Sequence, residues 1–135
     1  MDFLIYKITT MGTKEAVMTT QDVANQFNDL AQTGDWKKIH DELFSDDAVS
    51  VEPENSPGLK SVKGKAAIEQ KGKQFEEMVD EMHGGYSNKP QVAGSFFAVA
   101  MGMDCTMKGQ PRMKMDEIAV YEVKDGKIVK EQFFY

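Results

Sequence analysis

The chain is short of the residues that many binding and catalytic sites require. A single cysteine among 135 residues excludes an intrachain disulfide and a cysteine-rich zinc site. There are two histidines and no helical histidine pair, so a metal site has little support. The sequence also lacks a glycine-rich phosphate loop, a serine nucleophile elbow and a dinucleotide fingerprint. We therefore expect no metal and no cofactor.

Positive charge and long apolar runs are scarce as well. The 16 Lys and Arg residues are outnumbered by 22 Asp and Glu residues, which gives a formal net charge of −6. Because phosphate binding needs a clustered cationic face, a nucleic-acid partner is not expected. The apolar run at residues 3–6 is too short for a signal-peptide core or a membrane span. Together with the lone cysteine, this predicts a cytoplasmic protein without a membrane partner.

What is present predicts one globular domain with a short extension. A length of 135 residues with 41% hydrophobic residues is sufficient for one buried core. Thr19 followed by Asp22 forms a capping-box pattern, which marks the start of a helix just after Met18. We therefore expect residues 1–17 to be an N-terminal extension, either a mis-called start or an extra edge strand. The domain itself is expected to span residues 18–135.

The first half of the chain reads as helical. Apolar residues recur at helical spacing after Thr19, and Gly34 supplies a stop. Asp35 is placed to cap a second, shorter helix. A short strand near Val49 and a Pro-rich loop come next, and a third helix is predicted from about Lys65 to Met82.

The second half reads as strands. Three are predicted, at residues 91–108, 112–124 and 127–135, and Asp125-Gly126 is a strong hairpin signal between the last two. Gly94 and Gly102 are expected to be bends or bulges in the first of these strands. Helices followed by a strongly curved antiparallel sheet predict an α+β fold.

These segments, in their order, carry a resemblance to a known superfamily. They are Gly34-Asp35-Trp36, Leu43 to Val49, the Pro-rich loop, Val62 to Ile68, and Tyr121 to Ile128. The pattern resembles the nuclear transport factor 2-like superfamily, in particular its SnoaL-like branch, which is named for a polyketide cyclase. The resemblance implies a cystatin-like cone of three N-terminal helices packed on a curved antiparallel sheet, with a pocket between them.

The resemblance also implies a range of activities. The superfamily contains isomerases, cyclases and dehydratases, which commonly use pocket carboxylates, and it contains noncatalytic carriers and scaffolds. Its members often dimerise through the outer face of the sheet. A shared fold does not name a reaction, so the site must be argued from residues.

The hairpin turn predicts a register for the last strands. It places Glu117 opposite Phe134 and Tyr121 opposite Lys130, and a four-residue loop at 109–112 would then place Asp104 opposite Glu117. One face of the sheet would carry Ala98, Ala100, Gly102, Asp104, Met113, Met115, Glu117, Tyr121, Gln132 and Phe134. A loop one residue shorter would instead oppose Asp104 to Asp116 and move Glu117 to the other face, because a one-residue slip reverses faces.

The opposite face is predicted to be too apolar for water. It would carry Phe97, Val99, Met101, Met103, Ile118, Val120 and Phe133. Helices can cover only one face of a sheet, so the other is expected to meet a second subunit in a homodimer.

Two facing carboxylates predict acid–base chemistry. Asp104 and Glu117 would repel each other, so one would hold a proton near neutral pH unless an arginine such as Arg112 neutralised them. Tyr121 is a candidate hydrogen-bond donor to a developing oxyanion. The candidate ligand-binding residues are Phe27, Trp36, Glu52, His83, Met101, Met103, Met113, Met115, Gln132 and Phe134.

Several of the ligand-binding candidates have a structural alternative. Methionine suits an adaptable pocket but also fills gaps in cores and interfaces. His83 would lie at a helix C-terminus, where it could serve as a cap, and Glu52 could be a solvated loop acid.

The sequence thus predicts a pocket for a small, largely apolar molecule. If the protein is an enzyme, we expect cofactor-independent isomerisation, cyclisation or dehydration by carboxylate acid–base catalysis. The alternative is a noncatalytic ligand-binding or assembly module with the same fold.

Overall fold

A computed structural model describes residues 17–135 of the chain. The predicted extension at 1–17 therefore lies outside the described residues, apart from Val17, and stays a prediction. The described chain has three helices and seven strands in the order α1 (Thr20–Gln32), α2 (Trp36–Leu43), β1 (Phe44–Val51), β2 (Val62–Lys63), α3 (Lys65–Met78), β3 (Val79–Ser87), β4 (Gln91–Ala93), β5 (Phe96–Met107), β6 (Arg112–Lys124) and β7 (Lys127–Phe134).

Local signals set the ends of the first two helices. The Thr19 side chain accepts from the Asp22 amide while the Asp22 carboxylate accepts from the Thr19 amide, which completes the predicted capping box. Asp35 caps α2 by accepting from the amide of Lys38. Both predictions are confirmed.

The seven strands form one sheet in the order β2-β1-β7-β6-β5-β3, and β4 adds to β5. The predicted α+β class is confirmed, with one difference. Strand β1 pairs with β7 in parallel, so the sheet is mixed rather than wholly antiparallel. The chain between β1 and β7, which includes α3 and strands β2 to β6, supplies the long connection that a parallel pair requires.

The third helix is shorter than predicted. It ends at Met78, and the chain continues directly as β3, which pairs with β5 from Val79 to Ser87. The apolar spacing in this segment suits a helix, but pairing with a long neighbouring strand satisfies its backbone instead. Gly84 is therefore a strand residue and does not cap the helix.

The predicted register of β6 and β7 holds only beside the turn. Lys124 pairs with Lys127 across Asp125-Gly126, whose positive φ values of 52° and 77° are those of a primed turn. A bulge between Glu122 and Val123 then shifts the pairing by one residue. Beyond it Tyr121 pairs with Glu131, not with Lys130.

The predicted register of β5 and β6 is also wrong. Asp104 pairs with Lys114, and Glu117 pairs with Met101. The loop between β5 and β6 therefore produces a pairing that differs from both arrangements expected from the sequence. The buried residues on these two strands therefore all have odd numbers: they are Phe97, Val99, Cys105, Ala119, Tyr121 and Val123.

The helices cover this odd-numbered face, which we call the inner face. Phe27 of α1 packs edge-on against Phe97 and lies 4.7 Å, between ring centroids, from Tyr121. Val23, Ile39, Leu43 and Ile68 complete the core from the three helices. The even-numbered residues of β5 and β6 form the outer face, which no described helix covers.

Candidate functional site

The inner face carries a buried polar network where β1 and β7 meet. Strand pairing places Ser50 beside Glu131, and the Ser50 hydroxyl donates to Glu131 Oε2 at 2.6 Å. Lys71 reaches over from α3 and donates to Ser50 Oγ at 2.7 Å. An ammonium group can only donate hydrogen bonds. Ser50 must therefore accept one from Lys71, and its own hydroxyl hydrogen is free to be donated to Glu131.

The network continues from Lys71 toward the surface. Lys71 also donates to Glu52 Oε2 at 2.7 Å, and the two side chains are 7% and 6% exposed. The other Glu52 oxygen accepts from the Tyr135 hydroxyl at 2.7 Å. Tyr135 OH lies 2.9 Å from Ser56 Oγ, which must be the donor because the tyrosine proton is directed to Glu52. The network therefore joins α3, both parallel strands and the Pro-rich loop.

Three carboxyl groups share this region with a single lysine. Burial raises the pKa of Glu131 to about 7, although the Ser50 hydrogen bond and the Lys71 charge act in the opposite direction. Burial, followed by the charge of Glu52, raises the pKa of Glu117 to about 7, and Lys71 again opposes the shift. Two acids of the inner face, Glu117 and Glu131, thus each gain or lose a proton near neutral pH.

Glu117 differs from Glu131 in being accessible. It is only partly buried, and no hydrogen bond from another described residue contributes to its pKa. Glu131 is 5% exposed and bonded to Ser50. Glu117 is therefore the acid with lone pairs left for a ligand.

Tyr121 is locked between aromatic rings. It stacks on Phe97 with ring centroids 4.9 Å apart and an interplanar angle of 18°. Burial and then the charges of Glu131 and Glu117 raise its pKa well above 10. Its phenol thus keeps its proton across the physiological range and is a donor.

A cleft opens beside the network. It has a volume of about 400 Å³ and is lined by Val51, Glu52, Pro53, Glu54, Gln132, Phe133, Phe134 and Tyr135. Glu52 and Tyr135 belong both to the cleft and to the network, so a molecule in the cleft would lie next to the buried charges.

The structure separates the two acids that the sequence paired. Asp104 lies on the outer face, where Arg112 donates to both of its oxygens at 2.9 and 2.8 Å. The hydrogen bond from Arg112 lowers the pKa of Asp104, so Asp104 is an ionised partner in an ion pair. The predicted facing pair of Asp104 and Glu117 is wrong, because the loop at 108–111 sets a different register.

Other predicted residues also lie away from the inner face. Gln132 and Phe134 pair with Val120 and Ile118, which are outer-face residues, because the bulge in β7 reverses their direction. His83 lies on β3 and not at a helix end, and its Nε2 is 2.9 Å from Thr106 Oγ1. The inner-face placement of Gln132 and Phe134 and the helix-end placement of His83 are therefore wrong, although Gln132 and Phe134 do line the cleft.

Several predicted residues do lie on the inner side. Met101, Met103 and Met115 are half-buried on the same face as Glu117, although the sequence had placed the first two on the opposite face. Met113 is 39% exposed near the end of that row. Glu52 lies at the cleft as expected. Their contact with a ligand stays a prediction.

Phe27 belongs to the aromatic core, and Trp36 packs against it from the surface. Phe27 is 1% exposed, and its ring meets that of Trp36 edge-on at 5.9 Å. Trp36 itself is 39% exposed at the start of α2.

Sequence reasoning missed the residues that build the network: Ser50, Lys71, Glu131 and Tyr135. Lys71 had a usable signal, since it falls three residues after Ile68 and four before Phe75 on the apolar side of α3. A lysine at such a position needs a buried partner. Glu131 had no comparable signal, because its face depends on the bulge.

The described residues 17–135 carry neither a metal-binding cluster nor a membrane-spanning helix. No group of three or more His, Cys, Asp or Glu side chains in residues 17–135 is arranged to hold a metal ion. None of the helices in this range is long and apolar enough to cross a membrane.

Comparison with known proteins identifies the family. The sequence profile of the SnoaL-like domain matches residues 18–135. The chain belongs to the SnoaL-like family. A Mesorhizobium loti protein, named as a SnoaL-like polyketide cyclase, is 36% identical to this SnoaL-like chain, with a TM-score of 0.82 over 87% of this chain and 100% of the other.

More distant structures share the fold of this SnoaL-like protein. A Xanthomonas campestris protein with a cystatin-like fold is 21% identical, with a TM-score of 0.71 over 87% of this chain and 90% of the other. A nuclear transport factor 2-like protein of Burkholderia pseudomallei is 14% identical, with a TM-score of 0.69 over 86% of this chain and 89% of the other. Among curated proteins, none matches the chain. The resemblance noted in the sequence is confirmed.

Proposed function

We propose that this SnoaL-like protein catalyses proton transfer on a small, largely apolar carbonyl compound without a cofactor, as in isomerisation, cyclisation or dehydration. The observation that carries the proposal is Glu117, an accessible inner-face acid with its pKa raised to about 7. A group with that pKa can take a proton from carbon and return it at neutral pH.

The neighbouring residues suit the same chemistry. Removing a proton next to a carbonyl group puts negative charge on its oxygen, which hydrogen-bond donors and positive charge stabilise. The protonated phenol of Tyr121 and the fixed charge of Lys71 both lie close enough to affect the inner-face acids. In this scheme Glu117 moves the proton, Lys71 supplies the positive charge, and Glu131 and Glu52 hold Lys71 in place through the network. Tyr121 is 2% exposed, so it acts through the neighbouring acids and not by contact with the substrate.

Exchange of an enolisable proton tests the proposal without knowledge of the natural substrate. Incubating the protein with 2-tetralone in D2O and following the C1 and C3 protons by NMR should show exchange faster than in buffer alone. The rate should rise with pH through about 7, because Glu117 acts as a base only when ionised. Glu117→Gln should lower the enhancement by about 100-fold or more.

Asp104→Asn is the matched control. It removes an acid from the same sheet, but one that is ion-paired to Arg112 on the outer face. This variant should exchange like the parent protein. Equal rates for the parent and Glu117→Gln would refute the proposal and favour the noncatalytic binding module.

We also infer that the outer face of the sheet meets a second copy of the chain. Phe96, Ile118 and Phe134 lie on three adjacent strands and are 45%, 44% and 49% exposed. Ala98 and Val120 extend the apolar surface between them. Contiguous apolar surface of this kind is typical of protein–protein interfaces.

A further inference from the structure

Ser87, the last residue of β3, carries a buried hydroxyl group with no hydrogen-bond partner in the described part of the chain. Its backbone is anchored, since Gln32 Nε2 donates to the Ser87 carbonyl oxygen at 2.7 Å. Buried polar side chains are normally hydrogen-bonded, so an unpartnered hydroxyl group is a candidate to bond an atom of a substrate.

Strand pairing places Ser87 in the same row as Glu117. Ser87 pairs with Met101 of β5, and Met101 pairs with Glu117 of β6. Directly paired residues point to the same face of a sheet. Ser87 and Glu117 therefore lie on the inner face on either side of Met101.

The neighbouring row of paired residues gives independent evidence of the direction in which the Ser87 side chain points. Tyr86, Gly102 and Asp116 are paired in the same way, and the Tyr86 hydroxyl donates to Asp116 Oδ1 at 2.7 Å across Gly102. Tyr86 is 47% exposed, so this row points outward. Successive residues of a strand alternate, so the row of Ser87 points inward.

The inner face opens at this row. Phe97 and Val99 are each 1% exposed, whereas the next two inner-face residues of β5, Met101 and Met103, are only partly buried. Methionine is flexible enough to move aside for a ligand. The row thus has a flexible apolar side chain, Met101, between two polar side chains, Ser87 and Glu117.

We propose that Ser87 determines substrate specificity by hydrogen-bonding an oxygen atom of the substrate that is remote from the carbon reacting at Glu117. This inference rests on the proposed function. It specifies the substrate class as an apolar ring or chain with a reactive carbonyl at one end and a hydroxyl or carbonyl group at the other. The apolar part would lie over Met101.

Two matched ketones test the proposal. The protein should bind 6-hydroxy-2-tetralone about fivefold more tightly than 2-tetralone by NMR titration, which is the preference expected from one added hydrogen bond. Ser87→Ala should bind both ketones equally. Ser95→Ala, which changes an exposed serine, should keep the preference.

Stability provides a second readout. A buried hydroxyl without a protein partner contributes no bond to the fold and costs desolvation energy, so Ser87→Ala should unfold at the same or a slightly higher urea concentration than the parent protein. A clear loss of stability would mean that Ser87 has a structural partner, and would overturn the proposal.

The outcomes separate this inference from the proposed function. If the protein exchanges the 2-tetralone protons but shows no preference for the hydroxylated ketone, the role of Ser87 is refuted and the proton-transfer proposal stands. If the preference survives in Ser87→Ala, the role of Ser87 is again refuted. If neither ketone binds, both proposals fail.

Discussion

At the scale of single residues, the site depends on how one lysine is held. Lys71 has two short hydrogen bonds, to Ser50 and Glu52, and its Nζ lies 5.6 Å from the centre of the Phe133 ring. Removing one partner of a buried ion pair leaves the other charge uncompensated, which costs more than the pair contributes to stability. The lysine is therefore important both for folding and for the charge balance around Glu117.

Lys71→Met should reduce the free energy of unfolding by on the order of 3 kcal/mol, because Glu52 would be buried without its cation. Urea unfolding at constant pH measures the loss. Lys71→Met combined with Glu52→Gln should be more stable than Lys71→Met alone, since no unpaired charge then remains.

Lys37→Met is the control for this experiment. Lys37 forms an ion pair of similar length with Asp41, but its side chain is 80% exposed. Water and salt screen such pairs, so this variant should unfold like the parent protein. If Lys71→Met also unfolded like the parent, the buried pair would not contribute to stability as argued.

At the scale of secondary-structure elements, successive side chains of β5 and β6 point to opposite faces of the sheet, and each face has its own role. The odd-numbered residues make the core and the candidate site, and the even-numbered residues make the apolar outer surface. One shift in register would exchange these roles completely. The outer face can therefore be tested without disturbing the inner one.

Ile118→Glu should convert a dimer into a folded monomer, because it places a charge in the middle of the proposed interface. Light scattering after size-exclusion chromatography gives the mass, and circular dichroism confirms the fold. Met78→Glu provides the control, as Met78 is 38% exposed at the end of α3 and off the sheet. A parent protein that is already monomeric would refute the interface.

At the scale of the whole molecule, buried acids make stability depend on pH. The folded-state pKa values of Glu117 and Glu131 are about 7, against an ordinary value of 4.5. Between these values the folded protein holds protons that the unfolded chain has released. The contribution of these two groups to the free energy of unfolding should therefore be fully present below pH 4.5. It should be lost as the pH rises through 7.

The free energy of unfolding should be higher at pH 5.5 than at pH 8, with Glu131 contributing on the order of 3 kcal/mol over its full titration. Burial lowers the pKa of His40, which acts in the opposite direction but is a single group. Urea unfolding across this range measures the slope. Glu131→Gln should flatten it, and a stability that rose steadily toward pH 8 would contradict the assignment.

The features predicted correctly are those set by neighbours in sequence. The capping box at Thr19, the cap at Asp35 and the Asp125-Gly126 turn each need only a few adjacent residues, and each formed as predicted. The order of helices and strands was sufficient to recognise the family. The end of α3 was missed because a strand partner far along the chain competes with the local helical pattern.

The candidate site was predicted only in part. Glu117 and Tyr121 lie on the inner face and Glu52 lines the cleft, but Asp104 is on the other face and Lys71 was not anticipated. A single bulged residue in β7 decides whether Glu131 or Gln132 faces inward. No local pattern distinguishes the two outcomes, since both leave apolar side chains on each face.

The amino-acid sequence by itself determined the turns, the helix starts, the fold class and the family, because these follow from short-range hydrogen bonding and the periodicity of apolar residues. Only the tertiary structure decided which acids share a face, which lysine lies among them and which hydroxyl is left without a partner. Those depend on strand register, and register is set by packing between residues that are distant in the chain.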